Sequence, residues 1–482
     1  GIWIVPVAML LVYCSKKDLP ILKPNMILII GDDISMDDFG CYGNKKIRTP
    51  NIDKLAAGGL KFTNAYLTAS QCSPTRCSVI TGRYPHNTGA PELHLELPEG
   101  QPLFPLELKK AGYYTVQAGK WHIGKSAVKA FDQVYEGAEG GTGGEGRWVK
   151  CLQERPRDRP FFMWFASHDA HRPWHPDSVA DPHKPSEAKV PQYMANMPET
   201  RKELAQYYDE IQRLDRFVGL VVDECKSQGV LENTLILFMA DNGRPFPRDK
   251  CWLYDSGIKT PFIVHWPTGL TGKGRVTHSL ISTIDIAPTF LELAGAPVSE
   301  RYQGLSFTSM FRDPEQETCA YVFAEQNWHT QRANMRMVRW KNFVYIRNAF
   351  PELSHLLIVQ QPYPAYQDLL TLKRTGSITP EQDDLFLVPR PAEQLFDIDS
   401  DPDQFSNLVT NPGHTAVLQQ LRQIMDQWQD ETGDSTPLLE QLTDDRADRI
   451  TGERKYPGWR PPTGVLPGDA AGAQKINTRS IR

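Results

Sequence analysis

The sequence predicts an α/β protein built on a mostly parallel sheet, with a smaller domain appended at its C-terminal side. Three observations carry this expectation. From residue 25, short β-branched or aromatic runs alternate with amphipathic stretches, the rhythm of strand and crossover helix. Four of those runs are apolar and cut off abruptly by polar residues, as strands buried on both faces are. Beyond about residue 345 the alternation is lost. A chain of 482 residues has room for one large domain and a smaller one.

In chain order, the uncharged run GIWIVPVAMLLVY (1–13) is too short to span a bilayer, which needs about 20 residues, and reads as the apolar part of an export signal. Cys14 follows in LLVYCSKKD, which resembles a bacterial lipobox with an atypical tyrosine before the cysteine. The expectation is an exported protein, in the periplasm or as an outer-membrane lipoprotein of a bacterium. A plain secretory signal with an incidental cysteine is the other reading. The four buried strands are NMILIIG (25–31), YYTVQAG (113–119), FFMWFAS (161–167) and TLILFMA (234–240). They are followed by DD at 32–33, KWH at 120–122, HDAH at 168–171 and DN at 241–242. Ligands of open α/β sheets bind beyond the carboxyl ends of strands, so four strands would deliver acids, cations and imidazoles to one rim. Leu204, Tyr207, Ile211, Leu214, Val218, Val221 and Cys225 recur every three or four residues and mark a helix face against the sheet. GAEGGTGGEG (137–146) reads as a flexible loop. AEQLFDIDSDPDQFSNL (392–408) and a helical stretch, 414–432, belong to the appended domain, and an extended tail is expected from Pro461.

The net charge of −5 gives no global field that would draw the chain to nucleic acid, so any anion specificity must be local. Eight cysteines at irregular spacing make neither a disulfide framework nor a CxxC metal site.

Cys72 stands in QCSPTRCSVITGR (71–83), where Pro74 suits the first turn of a helix and Ser73 can cap it. An anion there would meet unpaired N–H groups, the helix dipole and the charge of Arg76. An inert core thiol fits the same position, and the residues alone leave both readings open. Asp32, Asp33, Asp241 and Asn242 are hard oxygen ligands, which select Ca²⁺ or Mg²⁺ over Zn²⁺. A DD pair by itself is more often a cap or turn; acid and amide after a second strand strengthen the metal reading. GKWHIGKS (119–126) formally fits the G-x-x-x-x-G-K-[ST] nucleotide pattern, but Lys120, Trp121, His122 and Ile123 are too bulky for a loop whose backbone cradles phosphate. His168 and His171 lie three apart just beyond a strand end, where imidazoles either pack or act.

CSPTRCSVITGR resembles the type I sulfatase signature, with Thr75 where serine is commoner and Ile80 where leucine is. The resemblance continues in NMILIIGDD, TPNIDKLAAGG (49–59), GKWHIG, HDAHRP, DNG (241–243), STIDIAPTFLELAG (282–295) and LFDIDSDP (395–402). It implies an alkaline-phosphatase-like fold: a large mixed, mostly parallel sheet sandwiched by helices, with a smaller C-terminal α+β domain of antiparallel sheet plus helix. The implied boundaries are an export segment at 1–20, a catalytic domain at 21–345, a C-terminal subdomain at 346–460 and a tail at 461–482.

The resemblance further implies that Cys72 is oxidised to Cα-formylglycine by a formylglycine-generating or anaerobic sulfatase-maturating enzyme. Asp32, Asp33, Asp241, Asn242 and the modified Cys72 would hold one divalent cation, Ca²⁺ or else Mg²⁺. Lys120 and Lys250 would contact sulfate, Arg76 would add positive field, His122 would act as base on the covalent intermediate, and His171 would protonate the leaving group. His168 and Arg244 are expected beside the substrate, and Glu325, Gln326, Trp328 and His329 in FAEQNWH are expected to read the sugar unless they merely pack a domain junction. Arg248 and Asp249 are expected as solvated surface. DNGRPFPRDKCWLYDSG (241–257) and FAEQNWH are most similar to the heparan N-sulfatase branch and its bacterial relatives, which leaves N–S against O–S cleavage open. The implied partner is a sulfated saccharide, with no nucleic acid and with a membrane only through Cys14. The alternatives are a phosphate or phosphonate monoester hydrolase of the same superfamily and a glycan-binding pseudo-sulfatase whose Cys72 is never oxidised.

Overall fold

A computed structural model describes residues 23–137, 144–175, 179–449, 451–453, 466, 468, 475–476 and 479–482. The export segment, Cys14, most of the Gly-rich loop and most of the tail lie outside the described residues. Among those described, the four sequence-derived strands are β1 (Asn25–Gly31), β2 (Tyr114–Gly119), β3 (Phe161–Ala166) and β4 (Thr234–Ala240). They are neighbours in the order β2-β3-β1-β4 and all run parallel, with Ile30 opposite Ala166, Gly119 opposite Ala166 and Gly31 opposite Ala240. Gln133–Glu136 extends one edge in parallel, and antiparallel Phe262–His265 then Leu60–Phe62 and Arg275–Thr277 extend the other, giving a mixed, mostly parallel sheet.

Strand periodicity splits the core into two layers. In β1, Met26, Leu28 and Ile30 enter one cluster while Ile27 and Ile29 enter the other. The second cluster is closed by helix α2 (Pro198–Ser227), through the Leu204 to Cys225 face read from the sequence. The first is closed in part by helix α1 (Cys72–Thr81), through Cys77, Val79 and Ile80. The sheet thus carries helices on both faces, and α1 begins beside its carboxyl rim.

A second, antiparallel sheet follows in the order β5 (Tyr321–Gln326), β6 (Met335–Trp340), β7 (Phe343–Asn348) and β8 (Glu393–Asp397). Helix α3 (Thr415–Thr432) covers it, with Trp428 stacked on Phe323 at 4.8 Å and Leu418, Leu421 and Met425 in the same cluster. The boundary expected at 345 falls inside β7, because the second sheet already starts at Tyr321. A short apolar run does not reveal whether its partner strand is parallel or antiparallel, so the change of sheet left no mark in the sequence. At the described end of the tail, Ile481 packs on the α3 cluster, and the Arg482 side chain is buried against Asp285 in a bidentate ion pair.

Candidate active site

The parallel alignment of β1 to β4 places Asp32, Lys120, His168 and Asp241 on one rim. The amino end of α1 enters that rim with Cys72 as its first residue. Gln71, in extended conformation, is the cap, and Ser73 instead accepts a hydrogen bond from the His94 N–H at 2.9 Å. Ser73 therefore fixes a neighbouring loop rather than the helix end, a departure from the expected cap.

Cys72 Sγ lies 3.6 Å from Asp32 Oδ1, 3.7 Å from Asp33 Oδ1 and 3.4 Å from Lys250 Nζ. Lys250 pairs with both oxygens of Asp33, at 2.6 and 2.8 Å, and Lys120 pairs with Asp32. Arg76 clasps Asp241 through Nε at 2.9 Å and Nη2 at 2.8 Å. All of these residues are buried. Asp33 and His122 hold left-handed backbone at φ 59° and 55°, uncommon for residues with a side chain and concentrated here, as at many functional sites.

Burial alone would raise the Asp33 pKa, but the ammonium of Lys250, with His171 and Lys120, holds its carboxyl well below the usual range. Burial lifts the Cys72 thiol well above its ordinary value despite Lys120 and Lys250. As a thiol, Cys72 is thus protonated and a poor nucleophile at neutral pH. The His122 imidazole is kept neutral by burial and by the charge of Lys120. His171 stands at the mouth with its side chain 42% exposed and Nε2 4.0 Å from Asp33. Loss of water around its ring and the charges of Lys250 and Lys120 outweigh Asp33 and lower its pKa to about 4.

Asp32, Asp33, Cys72 and Asp241 each present a ligand atom, all within 4.8 Å of one another. Asn242 donates its amide to Asp33 Oδ1 at 2.6 Å, while its own Oδ1 is buried with no hydrogen-bond partner. Three carboxylates and an orphaned amide oxygen fit a hard divalent cation such as Ca²⁺ or Mg²⁺.

A cleft of about 240 Å³ opens over this floor, lined by Asp33, Cys72, His122, His171, Lys250 and His329. It also admits residues to which the sequence reading gave no role: His94, whose Nδ1 is 2.8 Å from His122 Nε2, Arg172, Tyr363 and Arg446. Arg172 stands inside the quoted HDAHRP; no local motif marks the other three, which are brought in by segments far apart in the chain. A wider cavity of about 630 Å³ beside Asp37, Lys189 and Arg248 contains neither Cys72 nor any of the four oxygen ligands.

Several expected substrate residues are engaged elsewhere. Arg244 is buried against Asp37 and Asp38, the latter at 3.0 Å, and braces the loop beneath the site. Glu325 accepts from the His86 N–H at 3.1 Å, from its ring at 2.8 Å and from Asn327 at 2.8 Å, so both oxygens are used inside the protein. Trp328 is buried and donates to the Asp444 carbonyl, and Gln326 donates to the Asn327 carbonyl. His168 sits half-buried behind the cleft, outside its lining, with its pKa lowered to about 4 by burial and by Lys120 and Arg76. Of the FAEQNWH residues expected to read the sugar, His329 alone lines the cleft. Arg248 and Asp249 are not surface. Arg248 is buried between Tyr254 and Phe405 with Asp384 as partner, and Asp249 accepts from Tyr193 at 2.5 Å, because the loop carrying Lys250 folds inward to reach Asp33.

The family model described as Sulfatase matches residues 24–143 and 146–296, and the model described as N-sulphoglucosamine sulphohydrolase, C-terminal, matches residues 246–357. The chain is 32% identical over 457 residues to human N-sulphoglucosamine sulphohydrolase, covering 85% of this chain and 90% of the relative. It is 30% identical over 481 residues to an ulvan-active sulfatase of Formosa agariphila, covering 87% and 76%. Among solved structures, one bound to its substrate D-glucosamine-2-N,6-O-disulfate superposes with a TM-score of 0.65 at 18% identity, over 85% of this chain and 98% of that one. A 2-O GAG sulfatase does so at 0.64 and 22%, over 85% and 92%. At these identities the two structures show the shared fold.

Proposed function

Because this chain belongs to the sulfatase family and is thereby a sulfuric ester hydrolase, we infer that it removes sulfate from a sulfated glycan or oligosaccharide at the cleft above Cys72. The observation that carries this reading is the convergence of Cys72, three carboxylates, Asn242 and three buried cations on one point. Oxidation of Cys72 to Cα-formylglycine by a maturation enzyme would supply an aldehyde hydrate as nucleophile, in place of a thiol that burial keeps protonated. A divalent cation, Ca²⁺ in the first instance, would be held by Asp32, Asp33, Asp241 and Asn242 and would supply Lewis-acid polarisation at that position.

The chain's own groups then divide the work. Lys120, Lys250 and Arg76 bring positive charge to the sulfate oxygens, a type of interaction whose loss costs about 3 kcal/mol per donor. His122, neutral and 2.8 Å from His94, takes up a proton when sulfate is expelled. His171 at the mouth faces the leaving oxygen or nitrogen and would protonate it once the negative charge of a bound sulfate raises its pKa from about 4. The similarity to the human N-sulphoglucosamine enzyme and to ulvan-active enzymes supports a carbohydrate substrate and is compatible with N–S and O–S cleavage alike. The apolar composition of residues 1–13 supports export, with lipidation at Cys14 as the variant tested by palmitate labelling.

Two measurements test the reading. Mass spectrometry of the tryptic peptide holding residue 72, from protein co-expressed with a maturation enzyme, should show formylglycine. The same protein should release sulfate from a panel of N-, 2-O-, 3-O- and 6-O-sulfated saccharides; turnover of aryl phosphates alone would transfer the assignment to a phosphate monoester hydrolase.

A further inference from the structure

Arg446 lies on the cleft wall with a guanidinium that the protein itself does not use. Its backbone is fixed: the Arg446 N–H donates to the Thr330 carbonyl at 2.8 Å, and the residues before it are held by Trp328 Nε1 on the Asp444 carbonyl at 2.8 Å and by Arg332 N–H on Asp445 Oδ1 at 2.7 Å. The neighbouring acids are taken by other arginines, Asp445 by Arg449 at 2.6 Å and Asp444 by Arg332 at 3.3 Å. Arg446 Nε is buried with no hydrogen-bond partner, and its guanidinium forms no ion pair among the described residues. Arg172, the other arginine of the cleft, is by contrast spent on Glu203 at 2.6 Å and on the faces of Trp174 and Tyr363.

An anchored, partly buried guanidinium without a counter-ion is an open fork for a planar or tetrahedral oxyanion. The sulfate under attack already has Lys120, Lys250 and Arg76. A cleft of about 240 Å³ leaves little room beyond one saccharide unit above them. Resting on the sulfatase reading above, we propose that Arg446 is a specificity residue that binds a second anionic group of the substrate, on the reacting sugar or the one joined to it. A second sulfate and a uronate carboxylate present the same chemistry to the fork. Arg446 stands in the last part of the chain, remote from every site motif, so this contact would be added to the rim from outside the segments that carry its chemistry.

The test compares formylglycine-bearing wild type with Arg446→Ala and Arg446→Lys on four substrates: an aryl monosulfate, N-sulfoglucosamine, D-glucosamine-2-N,6-O-disulfate, and a sulfated glucosamine–uronate disaccharide with and without its carboxyl reduced to the alcohol. Arg446→Ala should lower kcat/KM for substrates with a second anion at least tenfold more than for the singly charged ones, chiefly through KM, with Arg446→Lys recovering part of the loss. A selective loss on the disulfate assigns the fork to sulfate, and one on the unreduced disaccharide assigns it to carboxylate. Equal losses on all substrates, or none, overturn the proposal. Calorimetric binding of the same saccharides to unmodified protein reads the same discrimination without turnover, so a wild type that releases no sulfate would count against the sulfatase reading and leave this one still measurable.

Discussion

The rim of the large sheet and the covered face of the small sheet both bury charge, in opposite arrangements. Under α3, Arg336 meets Asp434 through two parallel bonds at 2.6 and 2.8 Å and adds Asn327 Oδ1 at 3.1 Å, a closed pair with its fork filled. At the rim, charges are pooled. Asp33 is shared by Lys250 and Asn242, Asp241 is held by Arg76, and one amide oxygen has no partner. A closed pair holds a sheet against its covering helix. A pooled cluster with spare donor capacity receives a ligand, and its exposed side is the cleft.

Four measurements would break or sharpen that contrast. The largest effect is expected at the rim: Cys72→Ala should lower sulfate release by roughly 10⁴-fold or more, because the group that forms the nucleophile is gone. Retention of turnover would remove Cys72 from the chemistry. Next, Arg336→Ala should destabilise the fold by about 3–5 kcal/mol in chemical denaturation, since it strands the buried carboxylate of Asp434; a loss under about 1 kcal/mol would show that the pair is not closed as described. Lys250→Ala should cost about 10² to 10³ in kcat/KM, the size expected for one lost oxyanion donor. If it unfolded the protein without slowing the folded fraction, the rim cluster would be structural after all.

The smallest effect is acid-dependent. Burial would raise the Asp434 carboxyl, but the Arg336 guanidinium overrides it and holds the pKa at about 2, below the ordinary 3.8. A depressed folded-state pKa contributes stability above the unfolded value, and that contribution is lost as pH falls from about 4 through about 2. The unfolding free energy of Asp434→Asn should therefore be flatter over this range than that of wild type, by about 2 kcal/mol in total. Parallel pH profiles would place the acid sensitivity elsewhere.

Much of the rim was legible because strand and loop chemistry are local. An apolar run that stops at DD, KWH, HDAH or DN states both a buried strand and what stands at its end, and β1 to β4 required only parallel neighbours to bring those ends together. The expected substrate residues fared differently. Glu325 is a polar residue near the end of a short strand, equally suited to a cleft and to the inside, and the partner that turned it inward, His86, lies 239 positions away. Arg244 looked available until the fold supplied Asp37 and Asp38. His94 and Arg446 carry no motif at all.

What the sequence determined by itself is the parallel core and the identity of the reactive rim, because the 2.0 and 3.6 residue periods and the residues at strand ends act over short spans of chain. Which charges are consumed and which stay open was decided only by the tertiary structure. A buried arginine is a brace when a carboxylate from elsewhere meets it, as at Arg244 and Arg336, whereas the half-buried Arg446, on the cleft wall, meets none among the described residues. That depends on partners scores to hundreds of residues away.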